Sequence, residues 1–126
     1  MRYAHSLTIA TFLALGSIVP AAAEGDAAKG EQVYNQCRAC HSLEPGQHRL
    51  GPSLADIWGR EAGSVESFNR YSKALKQSDI VWDAETLDKY LADTRGYIPG
   101  NKMTYPGVRD SEKRANLIAF LKSQSE

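Results

Sequence analysis

Both cysteines of this chain fall within five residues, Cys37-Arg38-Ala39-Cys40-His41, and no other feature limits what it can fold into as tightly. Two thiols followed at once by an imidazole form a C-x-x-C-H unit, the signature of c-type haem attachment. When the segment makes one helical turn, the thiol spacing suits addition across the two haem vinyl groups, and His41 follows as a ligand to the iron. Two other chemistries use cysteine pairs. A thioredoxin-like redox pair needs a βαβ context, which is absent, and a zinc site would lack two further ligands of suitable type. Two cysteines are also too few for a disulfide scaffold.

The first 23 residues read as an export leader and not as part of the fold. Arg2 supplies a short positive start, Leu7 to Val19 is almost free of polar residues, and Ala21-Ala22-Ala23 offers the small-x-small pattern after which signal peptidases cut. The apolar run is about 13 residues, shorter than the roughly 20 that span a bilayer. Cleavage after Ala23 is therefore expected, leaving residues 24–126 as one domain in a bacterial periplasm with no membrane span. Export with both cysteines inside one motif favours haem over the two rival chemistries.

Cleavage also changes the inventory of ligands. It removes Met1, Arg2 and His5, so the mature chain is acidic by one charge, keeps His41 and His48 as its histidines, and keeps Met103 as its one methionine. The 15 basic and 15 acidic residues of the whole chain cancel, and no basic stripe appears, which excludes a nucleic-acid binder. With 42% hydrophobic residues the composition is that of an ordinary soluble domain, expected to be a monomer. A domain this small buries only about two thirds of its unfolded surface, and a cofactor commonly supplies the missing core.

Four segments carry helical signals. Asp26 can cap a helix running through Val33 and Tyr34 toward Cys37, with Gly30 in its middle for close packing. Ser72 to Gln77 can form a short helix. Asp83 can cap another, in which Leu87, Tyr90 and Leu91 share a face, and a last helix starts near Asp110 or Ser111 with Leu117, Phe120 and Leu121 on one side. Between them Pro45-Gly46, Gly51-Pro52, Pro99-Gly100 and Pro106-Gly107 mark turns, and no stretch alternates like a strand. Loops this long in a small domain need something to pack against.

The sixth position of a haem iron separates a carrier from a catalyst. His48 and Met103 are the candidates. Chain reach does not forbid His48, but Met103 ends the stiff turn Tyr97-Ile98-Pro99-Gly100-Asn101-Lys102-Met103, which presents one soft ligand, and it is the expected partner of His41.

With these residues in hand, the chain resembles a class I cytochrome c of the bacterial branch close to the mitochondrial proteins. The resemblance rests on C-x-x-C-H at 37–41, Gly51-Pro52-Ser53-Leu54, Trp58-Gly59-Arg60, Ile80-Val81-Trp82, Lys89-Tyr90-Leu91, Tyr97 to Met103, and Leu117 to Leu121. It implies an all-α cytochrome c fold in which crossed N- and C-terminal helices and wrapping loops enclose one haem c, held covalently through Cys37 and Cys40. Gly30 and Tyr34 would meet Leu117 and Phe120 at the crossing. The Pro52 carbonyl would accept the other ring N–H of His41, the Tyr90 hydroxyl would point at the Met103 sulfur, and Arg60, Tyr71 and Trp82 would surround the haem propionates. His48 would be a buried tie between two loops. The sequence departs from the mitochondrial pattern at Leu75, where those proteins carry a buried Asn, and at Gln32, Gln36 and Gln47, which replace lysines; Arg49, Arg95, Lys102 and Arg109 stay basic around the expected haem edge. The function implied is single-electron transport in a respiratory or related chain, not catalysis. The donor would be a membrane quinol-oxidising complex, and the acceptor a terminal oxidase, a reaction centre or another redox protein. The rival is a haem peroxidase or gas-binding sensor whose sixth ligand is labile.

Overall fold

The structure is a computed structural model in which residues 24–125 are described; the expected leader, residues 1–23, lies outside the described residues. Five helices follow one another: α1 (Ala27–Tyr34), α2 (Lys73–Lys76), α3 (Ala84–Ala92), α4 (Thr94–Tyr97) and α5 (Ser111–Ser123). Each begins at a side chain that accepts a free N–H of the first turn. Asp26 accepts from Lys29, Ser72 from Leu75 and Asp110 from Lys113, while Asp83 and Thr86 close a reciprocal capping box on α3. The exception to sequence expectation is α4, which Asp93 caps through the Gly96 N–H at 2.9 Å. At four residues it is too short to show a period.

The helix expected to run toward Cys37 ends sooner, at Tyr34, and the chain continues in turns. The Cys37 N–H donates to the Tyr34 carbonyl at 2.8 Å, and the His41 N–H donates to the Cys37 carbonyl at 2.9 Å. That second bond closes one helical turn around the motif, as the cysteine spacing requires.

α1 and α5 cross closely because the crossing point has no side chain on one partner. A Cβ on Gly30 would stand 1.9 Å from the Asn116 carbonyl oxygen, well inside contact distance. Next to it the Tyr34 and Phe120 rings lie 5.3 Å apart, Leu117 is almost fully enclosed, and the Asn116 side chain accepts the Asp26 N–H at 2.7 Å. α3 leans on α5 through Arg114 and Asp88, whose Nε and Oδ1 atoms are 2.6 Å apart. Among the described residues no strand forms; one antiparallel bridge joins Glu61 to Val81. His48 ties two loops as expected, accepting the Ser53 N–H at Nδ1 (2.9 Å) and meeting Ser67 Oγ at Nε2 (2.8 Å), but it is half-buried and not fully enclosed. No helix among the described residues is long and apolar enough to cross a membrane.

Candidate functional site

The loops and the inner faces of α3 and α5 enclose a cavity of about 380 Å³. Its wall is mainly apolar, including Leu54, Ile57, Phe68, Leu75, Leu87, Leu91, Leu117 and Leu121. Into the same space come all nine residues singled out from the sequence: Cys37, Cys40, His41, Pro52, Arg60, Tyr71, Trp82, Tyr90 and Met103.

His41 arrives on the helical turn of the motif, with its ring against Gly51; a Cβ there would lie 2.4 Å from its Cε1. Its Nδ1 donates to the Pro52 carbonyl at 2.7 Å, which fixes the proton on that nitrogen and leaves Nε2 with the lone pair a metal needs. Burial lowers the affinity of the ring for a second proton. The two cysteines are half-buried and form no disulfide with each other. Burial pushes the Cys37 thiol up to about 11, with Cys40 adding to the rise, the opposite of the depressed pKa that a thioredoxin-type nucleophile requires.

Met103 stands on the far end of a loop that one amide ties at three backbone groups. Asn101 Nδ2 donates to the carbonyls of Thr94 (2.6 Å) and Ile98 (2.8 Å), and Asn101 Oδ1 accepts the Met103 N–H at 3.0 Å. Tyr90, whose hydroxyl burial holds protonated up to about 12, donates to the Met103 sulfur at 3.6 Å, and its ring packs 5.1 Å from that of Trp82. Arg60 spends Nη1 on the Ala55 carbonyl (3.0 Å) and Nη2 on the Ser53 carbonyl (3.2 Å) and forms no ion pair among the described residues. Burial lowers its pKa, with Tyr71 and Asp56 acting the other way, so a further anion at this wall would favour the guanidinium. Burial also raises the pKa of Tyr71 beside it.

The profile of the Cytochrome c family matches residues 27–125. The chain is 44% identical over 119 residues to cytochrome c2 of Blastochloris viridis, covering 94% of this chain and 92% of that protein. The chain belongs to the cytochrome c family. To cytochrome c of Chlamydomonas reinhardtii it is 43% identical, over 78% of this chain and 88% of that one. The structure of cytochrome cH from Methylobacterium extorquens superimposes with a TM-score of 0.74 at 40% identity, over 79% of this chain and 99% of that one. The protein is thus a class I cytochrome c, a monohaem electron carrier with the all-α fold of its family and one haem c joined through Cys37 and Cys40. The cavity fits that group: a mainly apolar wall, two thiols on one turn, an imidazole whose Nε2 keeps its lone pair, and a guanidinium without an ion pair among the described residues.

At the rim of this cytochrome c site the structure adds to the sequence reading and in part departs from it. Leu50 is 73% exposed although it lines the cavity mouth. Arg70, not foreseen, and Lys102, expected at the edge, also line that mouth, whereas Arg49, Arg95 and Arg109, expected there too, do not. The bases form a chain: Lys102 Nζ reaches the Arg70 carbonyl at 3.4 Å, Arg70 donates to the Arg49 carbonyl, and Arg49 donates to the Arg38 carbonyl. Gln36 and Tyr105 also line the cavity and bond to each other. Exposed positions carry no periodic signal, so only their charge or polarity was available as a clue.

Proposed function

We propose that this cytochrome c shuttles single electrons in the periplasm with its iron held between His41 and Met103. The observation that carries the reading is the bond from the Tyr90 hydroxyl to the Met103 sulfur within the cavity that His41 also lines. A haem so ligated supplies reversible one-electron exchange at a raised potential, because a thioether donor and burial both favour the ferrous state. The protein's part is to hold both ligands still. Pro52 sets the His41 tautomer, Asn101 shapes the approach to Met103, and Tyr90 constrains the sulfur; Arg60 and Tyr71 offer donors to the haem propionates, and Trp82 supports Tyr90 from behind. An iron held by both His41 and Met103 would leave no open site for substrate, which favours the carrier over a peroxidase or gas sensor.

The test is the Met103→Ala protein. It should lose the weak far-red absorption band of sulfur–iron bonding, drop in potential and bind carbon monoxide in the ferrous state. An unchanged spectrum and potential would remove Met103 as the ligand, and a wild type that binds carbon monoxide freely would support the sensor reading. Export predicts a mature N-terminus at Glu24 in periplasmic fractions; an intact leader held in membranes would contradict it. The partners proposed are a membrane quinol-oxidising complex as donor and a terminal oxidase, reaction centre or other redox protein as acceptor. The basic chain from Arg38 to Lys102, which reaches the cavity mouth at Arg70 and Lys102, supports acidic docking surfaces on them.

A further inference from the structure

We propose that Gln36 and Tyr105 form a clasp across the cavity mouth that restrains exchange of the sixth haem ligand; the proposal rests on Met103 being that ligand. Gln36 immediately precedes Cys37, in the segment that carries the haem attachment. Tyr105 lies just beyond Met103 in the opposing segment. The Tyr105 hydroxyl donates to Gln36 Oε1, and among the described residues no other hydrogen bond joins residues 36–41 to residues 101–105.

Both ends of the clasp are anchored. The Tyr105 carbonyl accepts the hydroxyl of Thr94 at 2.8 Å, and Thr94 is completely buried. The Tyr105 ring packs against the core cluster, so its hydroxyl is directed at Gln36 and has little freedom to drift. Gln36 continues from α1 through the turn that ends in Cys37, whose N–H is held by the Tyr34 carbonyl at 2.8 Å. For Met103 to give way to an external ligand, its segment must swing outward, carrying Tyr105 with it. That motion breaks the clasp. The bond is exposed to water, which competes for both partners, so its effect belongs at the low end for a neutral hydrogen bond: roughly a threefold change in rate.

The test uses oxidised holoprotein and the rate at which imidazole binds the iron. Tyr105→Phe keeps the ring and loses the hydroxyl; Gln36→Leu keeps the bulk and loses the acceptor. Each should bind imidazole about three times faster than wild type, and the double variant no faster than either, since one bond cannot be lost twice. Gln36→Glu, which still accepts from the phenol, should retain the wild-type rate. Unchanged rates in both single variants, or single effects that multiply in the double, would overturn the clasp. The far-red band separates the two readings: present in wild type with unchanged variant rates, it leaves Met103 ligation standing and removes the clasp alone, while its absence in wild type removes both.

Discussion

Asn101 uses every polar capacity of its amide that the loop can engage, with two donations and one acceptance on three different backbone groups. A hydroxyl has a single hydrogen to donate and could not reproduce the set. Asn101→Ala leaves the Thr94 and Ile98 carbonyls and the Met103 N–H without these partners. At about 1 kcal/mol per net bond, partly replaced by water, it should destabilise the holoprotein by about 1–3 kcal/mol in denaturant titration. The far-red band should weaken in parallel, because the same amide shapes the approach of Met103. A stable variant with the full band would show that Pro99 and Gly100 alone hold the loop. The conformation at Gly100, with φ of +88°, requires a residue without a side chain, so these neighbours make their own contribution.

At the scale of elements, the crossing of α1 and α5 depends on an absent atom. Any Cβ at Gly30 meets backbone, not a flexible side chain, so the helices have to separate if one is added. Gly30→Ala would ordinarily gain helix propensity of about 1 kcal/mol. Here the overlap with Asn116 should outweigh that gain and cost about 2–4 kcal/mol overall, read as a lower denaturation midpoint with an unchanged visible spectrum. A neutral or stabilising result would mean that the helices can part without disturbing Tyr34 and Phe120. α3 shows a different economy: its apolar face of Leu87, Tyr90 and Leu91 serves the core and the Met103 sulfur at once, so one helix couples folding to the site.

At the scale of the molecule, the haem cavity occupies the centre that side chains would fill in another fold. Replacing Cys37 and Cys40 together with Ala should leave a chain that lacks the sharp near-UV circular dichroism of a packed interior, since a domain this size has little core to spare. Native-like near-UV signal in the haem-free protein would contradict this. The whole-chain charge is balanced, yet Arg38, Arg49, Arg70 and Lys102 are linked in succession, with Arg70 and Lys102 lining the same mouth as exposed Leu50. Such a face should steer an acidic redox partner. Its association rate should fall with added salt as the screening length contracts to about 8 Å at physiological ionic strength, and should drop about tenfold at low salt in Arg70→Glu. A rate indifferent to both changes would mean that docking is apolar, through Leu50.

Attachment chemistry, helix starts and the family itself were legible in the residues because each depends on local order. A five-residue motif carries its own geometry, Asp26, Asp83 and Asp110 cap the turns that follow them, and a shared face at Leu117, Phe120 and Leu121 repeats with the helical period. The chain could not reveal in the same way that Gln36 and Tyr105 bond at a separation of 69 positions, that Arg70 and not Arg95 reaches the mouth, or that Asp93 opens a helix of only four residues. Those outcomes depend on which loops lie side by side after the helices cross. Contacts between exposed or aperiodic residues leave no pattern along the chain, because the surface they share exists only once the fold has brought its walls together.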